Sequence, residues 1–167
     1  MENKRTCLYD KHVALGALRS PFGGFDMPIQ YTNIVDEHNA VRQACGIFDV
    51  SHMGEVLVTG AESEKFVNYI FTNEIAGAPD GKIFYGMMCH PTGCVVDDLL
   101  VYKMEPQRYF LVINASNIDK DVAWMLLNKH ISLYQSNMVK YISETYMNTT
   151  RGLIDEDVKE LRRAMLS

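Results

Sequence analysis

Val95-Val96-Asp97-Asp98-Leu99-Leu100-Val101-Tyr102 sets two adjacent carboxylates inside a run of strand-forming residues. Side chains along a strand alternate between faces. Asp98 is therefore expected on one face with Val96, Leu100 and Tyr102, and Asp97 on the other with Val95, Leu99 and Val101. One of the two must look toward apolar company unless a bulge intervenes, and a buried carboxylate without a partner is costly. A strand core keeps such a group when it is hydrogen-bonded, paired or placed to receive a polar ligand. The bland alternative is an edge strand or a bulge with both aspartates in water.

The segments on either side read as further strands. Residues 82–89 are followed by a compact turn, His90-Pro91-Thr92-Gly93, then by the 94–102 strand. Glu105-Pro106-Gln107 turns the chain into a third strand over 108–113. Connections this short imply an antiparallel meander. Upstream, residues 47–50 and 55–59 read as strands flanking Ser51-His52-Met53-Gly54.

Helices are expected over 33–45, with Asn33 as N-cap and Gly46 as stop, and over 62–72. Ser116 with Asp119 resembles a capping box opening a helix to about His130, with Ile118, Val122, Met125 and Leu126 as its apolar residues. Residues 1–31 carry breaker signals at Ser20-Pro21-Phe22-Gly23-Gly24 and Met27-Pro28 and read as irregular. The fold class expected is α+β: an antiparallel sheet with packed helices.

Composition narrows the function classes. The chain has 167 residues, 47 % of them apolar, which allows a packed core. A net charge of -5 without a basic run argues against nucleic acid as a partner. No apolar run approaches the length of a membrane span, and MENKRTCLYD at the N-terminus lacks a signal-peptide core. The expectation is a cytoplasmic protein without a membrane partner, or a mitochondrial matrix protein if a presequence has been removed. Residues 131–167 hold five basic and five acidic residues, so the net charge rests in residues 1–130. That last stretch reads as a divergent helical tail, with Asp155-Glu156-Asp157 and Arg162-Arg163 at the ends suited to a helix dipole.

Other chemical candidates are weaker. The four cysteines, Cys7, Cys45, Cys89 and Cys94, do not show the paired spacing of a zinc site, and no metal is expected. His52 is a lone loop histidine with no nucleophile in sequence reach. A Ser51-His52 hydrolase arrangement lacks its G-x-S-x-G elbow, and Gly23-Gly24 is not followed by the lysine of a phosphate loop. Met53 and Tyr85 could flank a flat ring, though each alone is usually packing. Asn114, ending Val112-Ile113-Asn114, reads by itself as a turn or cap residue.

Taken together the blocks resemble a known family. Leu8-Tyr9-Asp10-Lys11-His12, Phe22 to Tyr31, Glu37-His38-x-Ala40-Val41-Arg42, Gly46 to Glu55, Gly93 to Leu99 and Val112 to Asp121 follow the order and spacing of the glycine cleavage T-protein, over about residues 7–128. The resemblance implies part of the T-protein folate-binding fold, with residues 1–130 as an incomplete folate-binding region. It implies an aminomethyltransferase, which takes an aminomethyl group from the lipoyl arm of the H-protein. The one-carbon unit passes to tetrahydrofolate, ammonia is released, and methylenetetrahydrofolate results. By this resemblance Asp98 is the catalytic aspartate, and Met53, Tyr85, Tyr102, Val112 and Asn114 contact the pterin and folate.

Members of the family are longer, with three domains around a folate channel. Their later glutamate and arginine contacts have no counterpart in this sequence. Self-association, or a second chain completing the fold, is the corresponding expectation. Two rivals follow: a catalytically silent folate-binding module, and a different member of the folate-binding superfamily such as a demethylase or an iron-sulfur assembly factor.

Overall fold

The computed structural model describes residues 2–132 and 139–141; most of the tail expected from residue 131 lies outside the described residues. The chain forms two compact units, one containing Met1–His52 and the other Met53–Ile142.

The first unit departs from the irregular segment expected over 1–31. It holds a short helix α1 (Tyr9–Ala14) and a hairpin of β1 (Leu18–Phe22) and β2 (Phe25–Gln30). Gly23 and Gly24 make the two-residue turn, with φ of 57° and 85°. Both central residues of this tight hairpin turn need positive φ, which is why the breaker signal marks a hairpin. Helix α2 (Ile34–Gln43) starts as expected: the Asn33 side chain accepts from the Asp36 N–H at 2.9 Å. It stops short of Gly46 and buries none of its residues.

Residues 47–50 do not form the expected strand. The Asp49 side chain takes over the local backbone, with Oδ1 accepting from the Ser51 N–H at 2.9 Å and from its hydroxyl at 2.5 Å. An aspartate that binds the backbone two residues on makes a turn and competes with strand pairing. Its other oxygen meets His12 Nε2 at 2.8 Å, and His12 Nδ1 meets the Tyr31 hydroxyl at 2.7 Å. Burial opposes ionisation of Asp49, but the bonds from Ser51 and His12 outweigh it and hold its carboxyl below the usual range. His52 is buried edge-on against Phe22 and Phe25, and burial lowers its pKa, so it packs as a neutral ring.

The second unit carries a five-stranded antiparallel sheet in the order β4-β5-β6-β3-β7. Its strands are β3 (Gly54–Thr59), β4 (Ile83–Cys89), β5 (Val95–Glu105), β6 (Arg108–Ile113) and β7 (Val139–Tyr141). The β4-β5-β6 meander is the one that the turn spacing predicts. Helices α3 (Ser63–Ile70) and α4 (Ile118–Ser132) complete the α+β architecture. The core takes Val56 and Val58 from β3, Leu99 and Val101 from β5, Tyr109, Leu111 and Ile113 from β6, Phe66, Val67 and Ile70 from α3 and Met125 from α4.

Close packing beside the site depends on Gly54. A Cβ there would stand 2.6 Å from Ile118 Cγ1 and 2.7 Å from Ile113 Cγ1. Helix α4 begins through a turn of 3-10 helix at Ala115–Asn117 in place of the Ser116 capping box. Its buried residues also differ from the expected set. Asp121 is fully buried beside Met125, whereas Leu126 is exposed.

Candidate functional site

Strand β5 alternates as expected, and the alternation separates the two aspartates. Asp97, Leu99, Val101 and Lys103 are buried on the helix-covered face, while Asp98, Leu100 and Tyr102 are half-buried on the other. Val96 does not share the Asp98 face. The register shifts between Met88 and Cys89, which pair with Asp97 and Val95, so Val96 is the extra residue of a bulge and is buried with Asp97. An inserted residue breaks the period-two rule at that point.

Asp98 is held from two strands. The Tyr85 hydroxyl of β4 donates to Asp98 Oδ2 at 2.6 Å. From the end of β6, Asn114 Nδ2 donates to Asp98 Oδ1 at 3.1 Å and to its backbone carbonyl at 3.2 Å. Asn114 Nδ2 also lies 3.1 Å from Asp97 Oδ1, to which Asn117 Nδ2 donates at 3.0 Å. All the groups around that nitrogen are acceptors, which fixes the amide's orientation and leaves Asn114 Oδ1 as an acceptor with no partner among the described residues. The hydrogen bond to Asp98, with the charge of that carboxylate, raises the Tyr85 phenol above its ordinary pKa.

The remaining expected residues take distinct places. Val112 and Leu100 pair across β6 and β5, on the same open face as Asp98. Tyr102 pairs with Ile83 and Phe110 and stacks edge-to-face on Phe110 at 6.0 Å. It lines the face but makes no hydrogen bond to Asp98. Met53 precedes the terminal Gly54–Ile113 pair of β3 and β6, and Asn114 follows it, so both lie at the same end of the sheet. Tyr85 is 65 % exposed, and Ile83 and Met87 of the same strand are also exposed. The open face is thus a largely apolar floor with a carboxylate, a phenol and an amide at one end.

Residues outside the expected set support it. Asn73 Nδ2 donates to the Tyr85 carbonyl at 2.9 Å. Gly86 makes room for this anchor, since a Cβ there would meet the Phe71 ring at 2.8 Å and Asn73 Oδ1 at 3.1 Å. Asp97, Asn117 and Asp121 form a polar layer beneath the face. Of the three, Asp121 carries a signal in the helix pattern: it lies three residues after Ile118 and four before Met125, within an apolar helical stripe. Glu55 shares the open face opposite Val112, and burial raises its carboxyl pKa.

The arrangement suits a flat, polar-edged ligand: ring surface against Leu100, Val112 and Tyr102, and edge groups against Asn114 and Asp98. Among the described residues no group of three or more His, Cys, Asp or Glu is gathered for a metal, and no helix is long and apolar enough to cross a membrane.

Comparison with known proteins gives a family. Residues 8–150 match the GCVT N-terminal domain. The chain is 52 % identical over 128 residues to an aminomethyltransferase of Alkaliphilus oremlandii, covering 77 % of this chain and 35 % of that protein. It is 40 % identical over 165 residues to an aminomethyltransferase of Thermotoga maritima, covering 95 % of this chain and 45 % of that one. The fold resembles the crystal structure of glycine cleavage system aminomethyltransferase T from Bartonella henselae, with a TM-score of 0.73 and 29 % identity over 77 % of this chain and 36 % of that chain. The chain thus spans less than half the length of these relatives. With a match covering most of its residues, the chain belongs to the GCVT N-terminal domain family.

Proposed function

We propose that this chain carries the folate-facing N-terminal part of a glycine cleavage aminomethyltransferase. The observation that carries the reading is Asp98, a carboxylate gripped by Tyr85 and Asn114 at the end of an open, apolar sheet face. The names of the relatives and of the structural neighbour agree with it. The proposed co-substrate is tetrahydrofolate, and the proposed donor is the lipoyl-bearing H-protein. The proposed compartment is the cytoplasm, or the matrix for a processed chain; four free cysteines suit either.

Tetrahydrofolate supplies the nitrogen that accepts the one-carbon unit. Asp98 orients that nitrogen and stabilises positive charge developing on it, since a fixed carboxylate needs no reorganisation when charge appears. Tyr85 and Asn114 hold the carboxylate in one rotamer. Asn114 Oδ1 accepts from the N–H edge of the pterin, Tyr102 and Val112 form the floor, and Met53 flanks the ring. Proton transfer by Asp98 is an addition to this role and not its basis.

The rival expectation, a catalytically silent folate-binding module, is not favoured by the relatives, which are named aminomethyltransferases. Titration of tetrahydrofolate into the purified chain and into Asp98→Asn, followed by assay of methylenetetrahydrofolate with aminomethylated H-protein, separates the two. Turnover that Asp98→Asn abolishes supports the transferase. Binding without turnover supports the silent module. Turnover that survives Asp98→Asn rejects the site.

A further inference from the structure

Helix α4 brings a second carboxyl up behind Asp97. Asp121 is 0 % exposed, and Asp97 is 6 % exposed. Asp97 Oδ2 and Asp121 Oδ2 find no donor among the surrounding N–H and O–H groups, and Asp121 Oδ1 has only the Lys120 ammonium, an ion pair at 3.5 Å. The two buried carboxyls are coupled neighbours, each shifting the ionisation of the other. Two ionised carboxylates coupled in a buried site repel each other, and one proton between them supplies the missing donor.

The surrounding charges decide where that proton resides. Asp97 Oδ1 accepts from Asn114 and Asn117, which favours its ionised form. Facing Asp121 there is Asp97 from β5 and, from its own helix, Lys120, whose Nζ lies 3.5 Å from Asp121 Oδ1 and also donates to the Val96 carbonyl. Asp98 of β5 follows one step further, through the Asn114 amide. The chain of contacts therefore runs Asp121, Asp97, Asn114, Asp98.

We propose that Asp121 is a positioning residue for Asp98: its protonated carboxyl donates to Asp97, and this fixes the Asn114 amide against both aspartates of β5. The importance of what is positioned rests on the folate reading above; the relay itself does not. Burial, then the hydrogen bond and charge of Asp97, push the Asp121 carboxyl up to about 8. Burial opposes ionisation of Asp97, but bonds from Asp121, Asn114 and Asn117 outweigh it and hold it below the usual range. Once Asp121 loses its proton, Asp97 faces a like charge and the anchor on Asn114 loosens.

The test follows the Asn114 side-chain amide by 15N–1H NMR on the full chain between about pH 6 and 9, alongside tetrahydrofolate titration at pH 7. In the unaltered protein the amide resonances should move with a midpoint near the Asp121 value of about 8. In Asp121→Asn, which is neutral and keeps a donor for Asp97, they should stay still across that range. Tetrahydrofolate affinity should stay within about threefold in Asp121→Asn and fall at least about tenfold in a folded Asp121→Ala. An Asn114 amide that does not move in the unaltered protein overturns the relay, as does Asp121→Ala with unaltered affinity. If Asp121→Ala does not fold, the NMR comparison with Asp121→Asn still decides. An amide that titrates in a chain that does not bind tetrahydrofolate upholds the relay and rejects the folate reading.

Discussion

Asn114 bridges the faces of β5, with one amide nitrogen 3.1 Å from Asp98 Oδ1 on the open face and 3.1 Å from Asp97 Oδ1 on the covered face. Asn114→Asp should be far more harmful than its size suggests. It replaces the shared donor with a third carboxylate beside two others, and like charges in a part-buried cluster disfavour one another. Tetrahydrofolate binding by calorimetry is expected to fall at least tenfold, about 1.4 kcal/mol, with a lowered urea midpoint. Asn114→Ala should lose binding with a smaller loss of stability.

Tyr85→Phe removes the hydroxyl on Asp98 Oδ2 and keeps the ring. Tyr85 is largely exposed, so stability should hardly change. Tetrahydrofolate affinity should drop about 3- to 10-fold, the range of one ordinary hydrogen bond, since solvent around the exposed Tyr85 weakens the charged one. The reverse link has its own signature. The Asp98 carboxylate raises the Tyr85 phenol pKa, so Asp98→Asn should make one tyrosine ionise at lower pH in an absorbance titration.

The Asp97–Asp121 pair predicts a pH-dependent stability. Above about pH 5 both groups are ionised in the unfolded chain, while the folded chain holds one proton until Asp121 titrates at about 8. The folded state thus binds more protons, and stability should fall as pH rises between those limits, by at most about 1.4 kcal/mol per pH unit, and level off above. Urea melts of the unaltered chain and Asp121→Asn should diverge across that window, with the variant flatter.

Gln107 is the one non-glycine residue with positive φ among the described residues, at 62°, in the turn between β5 and β6. A side chain there costs about 1 kcal/mol. Gln107→Gly should raise the melting temperature by a few degrees, since the bond from Gly60 N–H to the residue 107 carbonyl involves only backbone. A lowered melting temperature would show that Gln107 is held by something other than its turn.

Gly54→Ala should lower stability by about 1–3 kcal/mol, because the added methyl group meets Ile113 and Ile118 in the core. Chemical denaturation of the variant measures this directly. Displacing the start of α4 should also weaken the Asn114 anchor.

The meander and the separation of Asp97 from Asp98 were legible because strand alternation and short turns are local rules. The bulge at Val96 was not, since an extra residue in one strand is set by its partner's register. The N-terminal hairpin is not legible because a Gly23-Gly24 pair marks a chain break and a two-residue hairpin turn equally well. Residues 47–50 form no strand because the Asp49 side chain competes for the backbone. The expected site residues Asp98, Tyr85 and Asn114 come together, but Asn73 and Asn117 need the tertiary structure, since each acts through a residue distant in sequence, and the helix stripe that marks Asp121 does not reveal its partner Asp97.

The alternation of β5 has a consequence for how such a chain can diversify. Leu99, Val101 and Lys103 belong to the covered side, while Leu100 and Tyr102 belong to the open side, so neighbouring positions answer to different physical constraints. Substitutions at 100, 102 or 112 can reshape what the floor accommodates without disturbing the packing that folds the chain. A lineage could therefore change its ligand while keeping its scaffold. Position 114 is the exception, because its amide is bonded on both sides at once.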